Sequence, residues 1–272
     1  MLNAALVVVI AVCFAGLAYS WFEAGWLRRR VVEVELAGLD PALDGLRVAH
    51  LSDFHLGMPS RGRRATEDAV AWVAERRPDL VCITGDLVSH PRGEPLLRSL
   101  LRELSRPVVV LGNHDVAVTR DPFSRSAELD DLEAATLLRD ATVTRELRGR
   151  RVSIVGVDPF TFRARQAQPE RLIDAAAGLR ILLCHFPDVH ARLPEGAFQL
   201  TLAGHLHAGQ LVLPLPGRRV TLAHPRARQV QGIFRSDAGV LHISPGLGTT
   251  FVPFRFCARP EVTELVLRQA VD

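Results

Sequence analysis

Five apolar segments of the chain each run into a short polar motif, and this repeated arrangement constrains the fold more than any other feature. The motifs are SDFHLG from residue 52, GDLVSH from 85, GNHD from 112, CHFP from 184 and GHLHAGQ from 204. Polar, helix-period stretches separate several of the apolar segments, which is typical of α/β domains. Because loops at the carboxyl ends of strands converge in such domains, the five motifs predict one shared site.

The apolar segments predict the strands, and the helix-period stretches predict the helices. The predicted strands cover residues 46–52, 80–84, 107–111, 151–157, 179–185, 198–204, 210–215 and 239–245. The predicted helices cover 66–77, 94–104, 130–140 and 169–178, the first of them opened by the capping-type residue Thr66.

The amino terminus contains no charged residue from position 2 to position 22. As a helix that rises about 1.5 Å per residue, this segment would span roughly 30 Å, the thickness of a bilayer core. Aromatic residues in WFEAGW (21–26) suit the membrane interface, and three arginines (28–30) on this flank predict a cytoplasmic carboxy-terminal domain. The alternative is export by a cleaved signal, because AYS (18–20) resembles a cleavage site, although no basic residue precedes the apolar run.

These segments divide the chain into three predicted parts. We predict a transmembrane anchor in the cytoplasmic membrane over residues 1–27, a linker over 28–45, and one domain over 46–272, since the sequence contains no internal repeat. The net charge of +3, from 33 basic and 30 acidic residues, is too small an excess to favour a nucleic-acid partner. The sequence leaves the oligomeric state open.

The polar motifs supply seven side chains that can bind divalent metal ions. They are Asp53, His55, Asp86, Asn113, His185, His205 and His207. Asp53 and His55 are two residues apart, which places both on one side of an extended chain, and the last two histidines repeat that spacing. Oxygen and imidazole donors without a thiolate favour manganese, iron or zinc. Seven donors are too many for one ion and about right for two.

Two divalent ions suit the hydrolysis of a phosphate ester. A pair roughly 3.5–4 Å apart can place water opposite the leaving oxygen and neutralise phosphate charge, and water bridging the ions becomes hydroxide near neutral pH. The sequence has no GxxxxGK[ST] or GxGxxG nucleotide loop and no GxSxG nucleophile motif.

The order DxH, GD, GNH[DE], a lone histidine after an apolar strand, and GHxH resembles the calcineurin-like metallophosphoesterases over about residues 46–258. The resemblance implies an α/β fold, a four-layer α-β-β-α sandwich of two mixed sheets. It also implies which ligands share an ion. Asp53, His55 and His207 would hold one ion, Asp86 would bridge both, and Asn113, His185 and His205 would complete the second.

The resemblance gives His114 a catalytic role, namely contact with the phosphate and protonation of the leaving group. Asp115 follows it directly and is expected to orient the ring of His114 or stabilise its imidazolium form. Ser89 stands where the family commonly has the second acid of GDxxD. We expect this exchange to alter hydrogen bonds around the ligands without loss of metal, and His90 is a candidate to compensate.

The amino-terminal span and the phrases LDGLRVAHLSDFHLG and SPGLGTTFVPFRFCARPEVTELVL resemble more narrowly the membrane-associated bacterial branch. Some members of that branch are assigned to phosphodiester cleavage or to hydrolysis of UDP-2,3-diacylglucosamine. We therefore expect hydrolysis of a phosphodiester, pyrophosphate or phosphomonoester bond in a membrane-linked substrate. A broad phosphodiesterase or phosphatase for soluble compounds is the alternative, followed by an inactive metal-bound scaffold.

Several polar residues lie outside the motifs. The histidines at 50, 190, 224 and 242 are interpreted as ordinary packing or surface residues. The arginine-rich segments 120–125 and 217–228 are candidate sites for substrate phosphate, although runs of charge are usually solvated faces.

Overall fold

The computed structural model describes residues 3–270 with the exception of 128, 217 and 228. Its α-helices are Ala4–Glu23 (α1), Gly62–Arg76 (α2), Glu94–Glu103 (α3) and Pro159–Arg163 (α4). Short 3-10 helices cover Pro41–Leu43, Pro91–Gly93, Pro169–Leu172, Pro187–Arg192 and His207–Gly209. The strands are Arg28–Leu36 (β1), Arg47–Leu51 (β2), Leu80–Thr84 (β3), Val108–Val110 (β4), Thr136–Leu137 (β5), Ala141–Leu147 (β6), Arg150–Gly156 (β7), Leu179–Leu183 (β8), Leu200–Ala203 (β9), Val212–Leu215 (β10), Arg218–Thr221 (β11), Gly232–Ser236 (β12), Gly239–Ile243 (β13) and Glu261–Gln269 (β14).

Two six-stranded mixed sheets form the centre of the domain. The first has the order β1-β14-β2-β3-β4-β5, with only the β14–β2 pair antiparallel. The second has the order β12-β13-β9-β8-β7-β6, with antiparallel pairs at both edges. A separate hairpin joins β10 to β11. The predicted α/β fold of two mixed sheets is confirmed.

Side-chain alternation along the strands explains the layers. In β3, Leu80 and Cys82 pack into the core between the sheets, whereas Val81 and Ile83 pack in the core beneath α2 and α3. The outer layer on the second sheet is thinner, since α4 and neighbouring 3-10 turns cover it through residues such as Phe162.

The structure corrects two predicted helices. Residues 130–140 form turns and the short strand β5, because Thr136 pairs with Val108 along the edge of the first sheet. Residues 169–178 are helical only over Pro169–Leu172. Pairing of β5 overrides local helix propensity in the first case, and in the second the backbone N–H of Gly178 donates to the carbonyl of Arg151 in β7. Helix α2 begins at Gly62 instead of Thr66, whose hydroxyl donates to the carbonyl of Gly62 inside the helix.

The segment predicted as a linker contains strand β1, which pairs in parallel with β14 along nine residues. Val34 and Leu36 are fully buried in the core between the sheets, which explains why this charged sequence joins the domain. Arg28 and Arg30 each lie 3.6 Å from Glu261, so part of the positive flank is paired within the fold.

Helix α1 is long and apolar enough to cross a membrane. It has a mean hydropathy of 2.3 and only 6% of the apolar window is buried, so it is a candidate membrane anchor. Its end contacts the domain, because Ser20 and Glu23 are buried and the carboxylate of Glu23 accepts from the backbone N–H groups of Cys257 and Ala258.

Candidate metal centre

The predicted ligands follow the carboxyl ends of strands from both sheets. Asp53 and His55 follow β2, Asp86 follows β3 and Asn113 follows β4 in the first sheet; His185 follows β8, and His205 and His207 follow β9, in the second. Because these strand ends meet along one edge of the sandwich, the structure brings all seven side chains to one place. Hereafter these seven residues are the ligand cluster.

The donors of the ligand cluster form two groups that share one carboxylate. Donor atoms of Asp53, His55, Asp86 and His207 all lie within 4.8 Å of one another. Asp86 belongs equally to a second group with His185 and His205. The amide oxygen of Asn113 lies 3.1 Å from Nε2 of His185, which places it beside the second group.

Short distances between imidazole nitrogens and carboxylates indicate which kind of ion the ligand cluster can hold. Nε2 of His55 lies 3.0 Å from Nε2 of His207 and 3.5 Å from a carboxylate oxygen of Asp86. Nε2 of His185 lies 3.2 Å from the same carboxylate oxygen and 3.1 Å from Nδ1 of His205. Buried nitrogen lone pairs that face one another around an anionic oxygen fit divalent cations.

The backbone at the ligands is unusual. Asp53, His55, Asp86, His205 and His207 have φ values of 55°, 47°, 53°, 75° and 48°. Such positive φ values are uncommon outside glycine, cost of order 1–3 kcal/mol each, and cluster at functional sites. The spacing argument for an extended DxH segment is therefore wrong in its geometry, because left-handed turns, not a strand, bring Asp53 and His55 to the same point.

Two glycines leave room for the ligand carboxylates. A Cβ atom at Gly112 would overlap the carboxylate of Asp86, and one at Gly204 would overlap that of Asp53. Each glycine directly precedes a ligand in the chain, as expected if the backbone must pass close to the ions.

A comparison with known families identifies the chain. The family model described as calcineurin-like phosphoesterase matches residues 46–209. The chain belongs to this family. It is therefore a metal-dependent phosphoester hydrolase with a site for divalent ions.

Three curated relatives place the phosphoesterase in the membrane-associated branch. It is 28% identical over 231 residues to the metallophosphoesterase YkoQ of Bacillus subtilis, covering 82% of this chain and 84% of that protein. It is 26% identical to the phosphodiesterase YaeI of Escherichia coli, covering 93% of each chain. It is also 26% identical to the UDP-2,3-diacylglucosamine pyrophosphatase LpxG of Chlamydia trachomatis, covering 81% of this chain and 83% of that protein.

Most protonation states in the phosphoesterase suit metal binding. His185 differs: burial acts to lower its pKa, but the carboxylate of Asp86 raises it to about 9, so an ion bound there must displace a proton. Burial lowers the pKa values of His55, His205 and His207 well below the usual range, which keeps these imidazoles neutral. Burial raises the pKa of Asp86, but His185 and other nearby imidazoles pull it well below its usual range. Neutral imidazoles and an ionised carboxylate are the forms that bind metal.

His114 lies beside the ligand cluster and lines a cavity of about 290 Å³. Its backbone N–H donates to the carboxylate of Asp86 at 2.8 Å. Hydroxyl oxygens of Thr119 and Thr250 lie 3.2 and 3.3 Å from Nε2, and that of Ser124 lies 3.2 Å from Nδ1. The ring is thus held on both sides with one nitrogen towards the cavity.

Asp115 is placed differently from the expectation. Its carboxylate accepts from the backbone N–H groups of Leu87, Val88 and Gly112, at 2.8–3.0 Å. These three donors turn the carboxylate towards backbone and away from the ring of His114. Asp115 therefore joins the loop after β3 to the loop after β4.

Ser89 takes part in the hydrogen bonds around the ligands, as expected. Its hydroxyl lies 2.7 Å from Nδ1 of His55 and 3.5 Å from Nδ1 of His114. His90 does not compensate, because its Nδ1 instead accepts from the backbone N–H of Arg92 at the start of a 3-10 helix.

Arg255 contacts the ligand cluster, although none of the motifs contains it. It is fully buried, and its guanidinium donates to the carbonyl oxygens of Pro245, Gly248 and Ala258. One of its nitrogens lies 3.3 Å from Nδ1 of His207. Burial lowers the pKa of Arg255 to about 10, so it remains charged near neutral pH. Its only sequence signal is its place in the carboxy-terminal phrase that resembles the membrane-associated branch.

The histidines outside the motifs divide into two kinds. Nδ1 of His50 lies 2.7 Å from Nδ1 of His242 in the buried interior, and His190 is also buried, so these three pack as expected. His224 instead lines the cavity with its ring 5.5 Å from that of His205. The sequence feature that could have marked His224 as a site residue was its position in the arginine-rich segment 217–228.

The two arginine-rich segments also differ. In 120–125, Arg125 donates to carbonyl oxygens of its own loop, and Asp121 accepts from the backbone N–H of Phe251. In 217–228, Leu222, Ala223 and His224 line the cavity, so the described part of this segment meets the site through apolar side chains and a histidine.

Proposed function

We propose that the protein uses two divalent ions to hydrolyse a phosphodiester, pyrophosphate or phosphomonoester bond in a membrane-linked substrate such as UDP-2,3-diacylglucosamine or a phospholipid. The observation that carries the proposal is the carboxylate of Asp86, which belongs to both donor groups. A shared carboxylate supports two adjacent ions, and manganese, iron and zinc all accept this mixture of oxygen and nitrogen donors.

The ligand cluster divides between the two ions. Asp53, His55 and His207 would hold the first, Asn113, His185 and His205 the second, and Asp86 both. When bound, such ions would polarise the phosphate oxygens and lower the pKa of water. Arg255 positions His207 through Nδ1, and Ser89 positions His55 in the same way.

His114 is proposed as the proton donor to the departing oxygen. Its position between Thr119, Thr250 and Ser124 holds the ring, and its backbone N–H links it to Asp86. A donor placed beside the phosphate accelerates departure most when the leaving group is a poor one. Asp115 supports the loop that carries His114.

The membrane-linked substrate is supported by α1 and by two of the relatives. Helix α1 can span a bilayer by length and composition, and its end is fixed to the domain through Ser20 and Glu23. The relatives bear the names phosphodiesterase and UDP-2,3-diacylglucosamine pyrophosphatase. The arginines at 28–30 support a domain on the cytoplasmic side.

The test compares substrates on one preparation of full-length, manganese-loaded protein in lipid nanodiscs. Bis(4-nitrophenyl) phosphate, 4-nitrophenyl phosphate, UDP-2,3-diacylglucosamine, a phospholipid and a cyclic nucleotide are offered under the same conditions, with Asp86→Ala as the inactive control. We expect the highest kcat/KM for an acyl-bearing substrate. Preference for the cyclic nucleotide would favour the soluble-substrate alternative, and no turnover of any compound would favour an inactive scaffold.

A further inference from the structure

The hairpin of β10 and β11 has its apolar side turned outward. Pairing of Leu213 with Val220 places both side chains on one face, and Leu215, which pairs with Arg218, extends that face along β10. The opposite face is covered at Val212, which is buried against Ala208 and the carboxy-terminal segment, whereas Pro214 further along β10 is exposed. A hairpin that lies on a soluble domain normally presents polar residues outward.

This apolar face continues to the mouth of the cavity. Leu222 lies two residues beyond Val220 and lines the cavity, and Phe251 and Val252 line it as well. We call Leu213, Leu215, Leu222, Phe251 and Val252 the apolar rim; each is between 39% and 51% exposed. Contiguous exposed apolar residues of this kind indicate a surface that another apolar phase covers.

The apolar rim is connected to the end of α1 through residues 254–258. Tyr19 packs edge-on against Phe256, and Trp21 against Phe254, with ring centroids 5.7 and 6.2 Å apart. The carboxylate of Glu23 accepts from the N–H groups of residues 257 and 258.

The same segment holds the hairpin from its other side. The N–H of Val212 donates to the carbonyl of Phe256 at 2.9 Å, and the guanidinium of Arg219 donates to the carbonyl of Cys257 at 2.6 Å. The end of α1, residues 254–258 and the hairpin therefore form one hydrogen-bonded unit beside the cavity.

The position of α1 indicates which apolar phase covers the rim. Trp21, Phe22 and Trp26 are exposed at its end, where aromatic side chains of a membrane helix lie at the level of the lipid headgroups. Residues 254–258 contact this end directly, so the adjoining hairpin lies near the same level. A bilayer that holds α1 would thus also meet the apolar rim.

We propose that the apolar rim inserts into the bilayer interface beside α1 and turns the mouth of the cavity towards the lipid. Acyl-bearing phosphoesters then reach the ligand cluster from the membrane, with their chains against Leu222 and Phe251. This inference rests on the proposed membrane-linked function and adds the surface and the route of entry. Exposed arginines at 219 and 226 flank the same region and suit anionic headgroups.

The experiment uses full-length protein in nanodiscs of phosphatidylglycerol and phosphatidylethanolamine. Two substrates share one leaving group: soluble bis(4-nitrophenyl) phosphate, and the 4-nitrophenyl ester of a diacyl phosphatidic acid placed in the disc. The test variant is Leu213→Ser with Leu215→Ser, since neither residue lines the described cavity. The control is Phe160→Ser, a side chain of equal exposure on α4 at the outer face of the second sheet.

We expect the double variant to hydrolyse the soluble ester within about twofold of wild type and the disc-borne ester about tenfold more slowly, because two leucines leave the interface. Phe160→Ser should leave both rates unchanged. The proposal would be overturned if the double variant hydrolysed the disc-borne ester as fast as wild type. It would also be overturned if the double variant lost activity by the same factor on both esters.

Three further outcomes are informative. Sedimentation that shows a wild-type dimer and a monomeric double variant would assign the rim to a second copy of the chain and overturn membrane docking. Wild-type activity on the soluble ester alone would also overturn it. Inactivity of metal-loaded wild type on both esters would instead mark failure of the proposed function.

Discussion

The floor of the cavity and its mouth are built in opposite ways. At the floor, six of the seven ligand side chains are buried, five of the seven ligands adopt strained backbone conformations, and each is fixed by hydrogen bonds or close donors. At the mouth, the apolar rim is exposed, and Leu213 and Leu215 project from a two-stranded hairpin. The floor concentrates charged and polar donors, and the mouth exposes apolar side chains.

Under the two proposals, residues at the floor carry out the reaction and residues at the mouth admit the lipid substrate. Under the proposed function every substrate must reach the ions, so residues at the floor can be judged by metal content and turnover of any substrate. Residues at the mouth can be judged only by substrates that differ in acyl chains. Substitutions at the two places should therefore give different signatures.

Asp86→Ala should have the largest effect of any substitution at the floor or the mouth. It removes the carboxylate shared by both donor groups, so we expect loss of both ions and a fall in kcat/KM of at least about 10⁴-fold, since several kcal/mol of charge stabilisation disappears. Metal analysis and hydrolysis of bis(4-nitrophenyl) phosphate measure the two effects. Leu215→Ser, at the mouth, is the control and should keep both properties; full metal occupancy in Asp86→Ala would contradict the shared ligand.

His114→Ala tests the proton-donor role at the floor of the cavity and leaves all residues of the ligand cluster in place. Metal content should stay at the wild-type level, while kcat falls about 10³-fold for an alkyl leaving group and less for nitrophenolate, since a proton donor matters most for poor leaving groups. His90→Ala, outside the cavity, should leave both rates intact. An equal loss with both leaving groups would remove the proton-donor role.

Asp115→Asn tests whether Asp115 stabilises the loops at the floor of the cavity or takes part directly in catalysis. An amide at this position leaves at least one backbone N–H of the two loops without its acceptor, which should lower the free energy of unfolding by about 1–3 kcal/mol. Denaturant unfolding of metal-loaded protein measures this change, with exposed Asp131→Asn as the control. Turnover should fall by the same factor for good and poor leaving groups; selective loss with poor ones would restore a direct role beside His114.

Ser89→Ala is the smallest change that we expect to detect. It removes the hydroxyl 2.7 Å from Nδ1 of His55, so metal affinity should fall about tenfold. Competition with a chelator measures the affinity, and Ser126→Ala on the exposed surface serves as the matched control. Unchanged affinity would show that another group holds His55.

The central strands and the ligand identities could be predicted because both are local signals. Strand β3 matches its predicted residues 80–84, and each polar motif directly follows an apolar segment. The predicted helix at 130–140 failed because its sequence also permits the edge strand β5, and only the neighbouring β4 decides between them. The charged strand β1 escaped prediction for the same reason, since its partner β14 lies more than 200 residues away.

The order and spacing of the motifs are highly specific, so they were enough to predict the family and the two-sheet α/β fold and to propose seven metal ligands. How those seven side chains are held depends on contacts between distant parts of the chain. Left-handed turns replaced the expected extended geometry, Asp115 turned towards backbone, and Arg255 came to His207 from 48 positions away. Whether an exposed leucine in the hairpin faces solvent or the mouth of a site is likewise a matter of packing, which no local pattern encodes.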